Sequence, residues 1–124
     1  MRILGLGVDL ADIDRVSRVL EKYPRFAERC FTEHEREYAL RFARPERRLA
    51  ARFAGKEAVM KSMGTGWRRI GWKEIEITGG GKPTVRMTGR AAVAAKTLGV
   101  TEILVTITHT DTSALVMAVA VGEH

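Results

Sequence analysis

Residues 46–63 read ERRLAARFAGKEAVMKSM, and this stretch decides the fold. Alanine, arginine, lysine, glutamate and methionine are the strong helix formers, and Pro45 stands just ahead, where a missing N–H costs nothing. The composition predicts a helix over about 46–63, ended by Gly64, Thr65 and Gly66. The elements on either side are shorter. Upstream, residues 3–9 read as a short buried strand with Gly5 and Gly7 in it, followed by a helix over about 11–23 that Pro24 stops. Ile13, Val16 and Leu20 make the apolar stripe of that helix, while Arg15, Arg18 and Lys22 share another face. Residues 26–31 predict a short helix. Thr32 with Glu35 three places on is a capping-box pattern for the next one. Downstream, 72–77 alternates as a strand, Gly79, Gly80 and Gly81 make a turn, and 83–87 is a second strand. A helix over 91–98 closes at Gly99, and strands over 102–108 and 113–121 finish the chain. Residues 114–121 are apolar on both faces, so this strand is expected to be covered on both sides. These elements make an α+β domain: a small antiparallel sheet packed against a long central helix, without repeats or linkers.

The chain has 124 residues, 45% of them hydrophobic, and 21 Lys plus Arg against 15 Asp plus Glu, a formal charge of +6. A chain of this length makes one domain, residues 1–124, and buries roughly two thirds of its unfolded surface. Its apolar content excludes a disordered chain. Nothing approaches the roughly 18 apolar residues in a row that a membrane-spanning helix needs. One cysteine, Cys30, cannot form an internal disulfide, which fits a reducing, cytoplasmic location. The apolar run 3–10 is broken by Asp9 and leads into a charged helix, so it is not read as a signal peptide. The positive balance points to an acidic or phosphate-bearing partner. RNA, an acidic protein and an anionic cofactor all satisfy it.

Two phosphate-loop patterns fail on inspection. Gly5, Leu6, Gly7 begins a dinucleotide fingerprint without its third glycine, and Gly81, Lys82, Pro83, Thr84 places proline where a Walker loop needs a magnesium-binding hydroxyl. His34 lies among Glu33, Glu35 and Arg36 and reads as a solvated side chain, and a lone cysteine with scattered histidines makes no zinc site. Three features survive. Asp9 ends an apolar strand just before a helix and reads either as a cap or turn residue or as a hard-metal ligand. Glu57 and Lys61 are four apart, a favourable helix pair worth roughly 0.2–0.5 kcal/mol, yet they share their face with Phe53. His109 finishes the stripe of Ile103, Val105 and Ile107, beside Thr108, Thr110 and Asp111; it reads as a packed residue or as a functional one.

Taken together these residues resemble one family. Gly5-Leu6-Gly7-Val8-Asp9 with Arg15, then Arg52-Phe53-Ala54-Gly55-Lys56-Glu57-Ala58 with Lys61, then Thr106-Ile107-Thr108-His109-Thr110 are similar to the three blocks of the holo-acyl-carrier-protein synthases, the small-type 4′-phosphopantetheinyl transferases. The resemblance runs over nearly the whole chain, and the middle block is the most specific. It implies a 4′-phosphopantetheinyl transferase-like fold and transfer of the phosphopantetheine arm of coenzyme A to a serine of apo acyl carrier protein. Adenosine 3′,5′-bisphosphate leaves, magnesium is required, and the product serves fatty acid biosynthesis.

By residue match, Asp9 and Glu57 would hold Mg2+, a cation that takes one or two carboxylates and fills the rest of its shell with phosphate oxygens and waters. Lys61 would reach a phosphate of coenzyme A, and Glu57 is the candidate base for the serine proton. Gly64, Thr65 and Gly66 would let the backbone approach the cofactor. Gly81, Lys82 and Pro83, with His109 and Thr110, would line the nucleotide side, while Arg44, Arg47 and Arg52 stay unassigned among the remaining phosphate contacts. Arg15, Arg25 and Phe26 match positions that grip the acidic carrier, and Lys22 joins them in a basic stripe beside an exposed aromatic; Arg18 matches less well. The resemblance further implies a homotrimer with active sites between subunits. Gly55, where many members carry alanine, and Asp111 depart from the common pattern. A basic RNA-binding domain would explain the charge, but it gives Asp9, Glu57 and His109 no common role, and at 6% aromatic residues the chain lacks a base-stacking surface. No nucleic acid and no membrane are expected as partners.

Overall fold

The computed structural model describes residues 1–79 and 81–123, so Gly80 of the predicted glycine turn lies outside the described residues. The chain opens with strand β1 (Arg2–Asp12), then helices α1 (Ile13–Lys22), α2 (Phe26–Cys30) and α3 (Glu33–Ala39), and the long helix α4 (Pro45–Ser62). Strands β2 (Ile75–Thr78) and β3 (Thr84–Met87), helix α5 (Gly89–Leu98) and strands β4 (Val100–His109) and β5 (Ser113–Gly122) complete it. β5 lies in the centre of a three-stranded antiparallel sheet of order β1-β5-β4, and β2 and β3 form a separate hairpin. The predicted α+β class, with a small antiparallel sheet against a long central helix, holds.

α4 lies across one face of the larger sheet, mainly over β1 and β5. Small residues allow this. Ala50, Ala54 and Ala58 of α4 meet Ala114, Val116, Ala118 and Ala120 of β5, all buried. Gly5 and Gly7 do the same on β1: a Cβ at Gly7 would overlap the Ala58 carbonyl oxygen, and one at Gly5 that of Ser62. The glycines that mimic a dinucleotide fingerprint are therefore the surface on which the helix backbone rests. Gly55, inside α4, is filled from the other side by the Ile77 side chain, whose Cδ1 occupies the space of the missing Cβ.

Local signals account for most ends. Asp12 caps α1, its carboxylate accepting from the Arg15 N–H at 3.1 Å, and Thr32 with Glu35 forms the predicted capping box of α3. α4 starts on Pro45 and ends in a Schellman motif: the Thr65 N–H donates to the Met60 carbonyl and that of Gly64 to Lys61, with Gly64 at φ +67°. Gly99 closes α5 at φ +82°.

Three expectations change. β1 runs to Asp12, beyond the predicted 3–9, and is buried on one face only. Residues 72–74 form a 3₁₀ turn, so the strand begins at Ile75. β5 is covered by α4 on one side alone. The other face of the sheet is open and apolar, with Leu6 66%, Leu10 64% and Met117 48% exposed beside Val8, Leu104 and Leu115. Cys30 is buried and desolvation pushes its thiol up to about 11. Among the described residues no helix is long and apolar enough to cross a membrane.

Candidate active site

Asp9 faces α4, one place along from Gly7 and Ala11 in the alternation of β1. The close approach at the glycines brings its carboxylate beside Glu57, on the flank of α4. Burial, then the Asp9 charge, push the Glu57 carboxyl above its ordinary value, and Lys61 draws it back only in part. Lys61 does not make the helix pair with Glu57 that its spacing suggests. Its Nζ donates to Asp9 Oδ1 and to the Val8 carbonyl, each at 3.1 Å, leaving one N–H of the ammonium uncommitted.

The two carboxylates line a cleft of about 550 Å³ together with Arg15 and the apolar side chains of Val16, Val19, Phe26 and Phe53. Phe26 is half-buried and not the exposed aromatic expected: its ring packs on Phe31 and Phe53, with centroids 6.2 and 5.7 Å away. Phe53 in turn stacks on Trp72 at 4.8 Å. Arg15, Arg18, Lys22 and Arg25 are exposed around this cleft and along α1.

A second cleft, about 510 Å³, lies on the opposite flank of α4. It gathers Gly81, Lys82 and Pro83 from the hairpin turn, His109 from β4, and Arg48 and Arg52 from α4. Arg52 is only 4% exposed; its Nη2 donates to the Gly79 carbonyl at 3.0 Å, its guanidinium lies 5.0 Å from the Tyr38 ring centroid, and its Nε has no partner. A desolvated, incompletely bonded guanidinium beside a lysine and a histidine is suited to an anion with several oxygens. The turn after β4 is tied to α4 by Arg47, whose Nη2 donates to Thr110 O and Asp111 Oδ1, both at 3.2 Å. The Thr110 hydroxyl accepts from the Thr112 and Ser113 N–H groups, so it shapes this turn.

Among the predicted residues, Asp9, Glu57, Lys61, Arg15 and Phe26 come together. Gly81, Lys82, Pro83 and His109 also come together, with Thr110 on the adjoining turn, but in the other cleft, and the two clefts share no lining residue. Gly64, Thr65 and Gly66 join neither; Gly64 borders a shallow depression with Arg2, Leu4 and Lys61 beyond the end of α4. Arg44 pairs with Glu46 at 3.5 Å and lines neither cleft. Arg48 and Tyr38 escaped the sequence reading. The four-residue spacing of Arg48 and Arg52, which puts both on one helix face, was the available signal.

The carboxylate pair also answers the question of a metal. Among the described residues no three His, Cys, Asp or Glu side chains converge on one point. Two hard oxygen donors facing each other fit a magnesium ion that completes its shell with phosphate and water. They do not fit zinc.

The family model of the 4′-phosphopantetheinyl transferase superfamily matches residues 5–120. The holo-[acyl-carrier-protein] synthase of Solibacter usitatus is 46% identical over 126 aligned positions, covering 98% of this chain and 99% of its own. That of Caldanaerobacter subterraneus is 42% identical, covering 94% of each. A holo-(acyl-carrier-protein) synthase of Bacillus anthracis, solved in complex with CoA (3′,5′-ADP), superposes with a TM-score of 0.79 at 28% identity, covering 98% of both chains.

Proposed function

The chain belongs to the 4′-phosphopantetheinyl transferase superfamily, among its holo-[acyl-carrier-protein] synthases, and from that premise we propose a specific reaction and site. Residues 1–124 act as one transferase domain that moves the phosphopantetheine arm of coenzyme A onto a serine hydroxyl of apo acyl carrier protein. Adenosine 3′,5′-bisphosphate is released, in the cytoplasm and for fatty acid biosynthesis. The observation that carries this is the Asp9–Glu57 pair, set side by side by the contact of α4 with Gly5 and Gly7.

Asp9 and Glu57 would hold Mg2+. When bound, the ion would neutralise charge on the diphosphate of coenzyme A, the main requirement of phosphoryl transfer. Lys61 keeps Asp9 in place through one N–H and turns its uncommitted one toward a phosphate oxygen. Glu57 also accepts the proton of the carrier serine, as the carboxylate that faces the first cleft from α4. Arg15, Lys22 and Arg25 steer the acidic carrier to the first cleft, and Phe26 in its wall provides an apolar anchor. Lys82, Pro83, Gly81, His109 and Thr110, with Arg48 and Arg52, take the nucleotide phosphates. Gly64, Thr65 and Gly66 give the pantetheine side room where the helix ends.

One chain holds the metal pair and the nucleotide cleft on opposite flanks of α4. We therefore assign the active site to the boundary between subunits of a homotrimer, joined through the open apolar sheet face. The test is direct: incubate the protein with coenzyme A, Mg2+ and apo acyl carrier protein, and weigh the carrier. A gain of one phosphopantetheine group is expected, abolished by EDTA and lowered at least a hundredfold by Glu57→Gln. No gain on any of several carriers would refute the assignment.

A further inference from the structure

Lys56 stands next to Glu57 in the most distinctive block of the sequence, yet it points away from the cleft. Its side chain and that of Glu35 are both 0% exposed, and they form an ion pair of 2.7 Å. The ammonium is saturated. It donates to Glu35 Oε1, to the Trp72 carbonyl at 2.9 Å and to the Ile75 carbonyl. The carboxylate is equally occupied: Oε1 accepts the Thr32 N–H and Oε2 the Ile77 N–H, each at 2.9 Å. So one buried point ties together the start of α3, the middle of α4, the 3₁₀ turn at 72–74 and strand β2.

Stability does not explain such a pair. Taking two charges out of water costs about as much as their attraction returns, and apolar side chains of similar volume commonly do as well or better. Apolar contacts are at hand, since Val59, Ile75 and Ile77 are all buried in the same region. What the pair adds is direction. Hydrogen bonds to fixed carbonyl and amide groups set the rotation of α4 at the residue before Glu57. They also hold β2 at Ile77, two residues before Gly79, whose carbonyl takes Arg52 from α4.

We propose that the buried Glu35–Lys56 pair positions the transfer machinery, locking α4, which carries Glu57 and Arg52, to the hairpin that presents Gly81, Lys82 and Pro83. Both are positioning residues and touch no substrate. The proposal rests on the preceding assignment of that hairpin turn to coenzyme A. Its signature is a split in the kinetics: loss of the pair weakens coenzyme A far more than the carrier, because the start of α1, which carries Arg15, is anchored away from the pair by its Asp12 cap and by the Ile13 N–H bond to the Thr112 carbonyl.

The experiment compares Lys56→Met with the double variant Glu35→Gln/Lys56→Met, each assayed well below its Tm. Lys56→Met alone strands a buried carboxylate and lowers Tm steeply; the double variant, with no charge left at that point, recovers part of that loss. In the double variant the KM for coenzyme A is expected to stay at least fivefold raised, with the carrier's KM changed less than twofold. Return of the coenzyme A KM to the wild-type value along with Tm would overturn the proposal. Should the double variant not fold, Glu35→Asp serves instead, since it keeps the charge but draws the carboxylate back by one methylene. A raised coenzyme A KM in folded protein supports positioning, and an unchanged one refutes it. Wild-type protein run in parallel separates the two levels. No transfer by wild type would sink both readings, whereas normal transfer with variants that merely follow Tm would sink this one alone.

Discussion

Glu57 is held at a position where burial and the neighbouring Asp9 both favour its protonated form. Its folded-state affinity for a proton is therefore above that of the unfolded chain. The sign follows: its contribution to stability is complete below the ordinary glutamate range and is lost as pH rises through the raised value. In EDTA, Tm should fall across that window, Glu57→Gln should abolish this component, and added Mg2+ should restore wild type. Melting curves over a pH series would show it, and an identical slope in the variant would contradict it. Glycines give a second residue-scale contrast. Gly7→Ala drives a methyl into the backbone of α4, which cannot yield without moving the helix off Asp9, so a loss of about 1–3 kcal/mol is expected. Gly55→Ala meets only the flexible end of Ile77, and a gain of about 1 kcal/mol in helix propensity offsets the repacking, leaving it nearly neutral. Urea titrations of the two variants distinguish them. Asp111, the departure noted in the sequence, bonds Arg47 from a side chain left 95% exposed, so it shapes the turn beside His109 at little energetic gain.

At the level of elements, the helices were the legible part. α4 announces itself by composition, Pro45 and Gly64, and the caps at Asp12 and Thr32 act through contacts a few residues apart, so local sequence encodes them. Asp12→Ala removes the side-chain acceptor from α1 and should cost about 1 kcal/mol in a urea titration, with Asp12→Asn nearly silent. The strands were less legible, for a physical reason. An apolar run such as 3–10 looks the same whether its second face meets a helix of its own chain or something outside it. Periodicity records that a face is apolar; it does not record what covers it. The 3₁₀ turn at 72–74 was missed because Trp72 and Glu74 are held by tertiary contacts: Trp72 by the Phe53 ring, and Glu74 by the Arg90 amide.

For the whole molecule, the site residues could be named from the sequence but not grouped. Asp9, Glu57 and Lys61 meet because β1 lies under α4, whereas Lys82 and His109 reach the other flank because β4 is the far edge of the sheet. Sequence order carries no sign of which edge a strand will occupy. If neighbouring subunits supply the two halves, Glu57→Gln and His109→Ala chains, each nearly inactive alone, should regain a measurable share of activity when unfolded and refolded together. Equal inactivity of the mixture would place both halves in one chain. Charges on the open sheet face, such as Met117→Glu, should yield smaller particles by light scattering and lose transfer in parallel. The same face has a consequence for handling and for the cell. If, as proposed, copies of the same chain finish the apolar sheet, the fold obeys mass action, so its melting point should climb with protein concentration and its specific activity should sag on dilution. The amount of enzyme present would then set the quality of each molecule as well as their number.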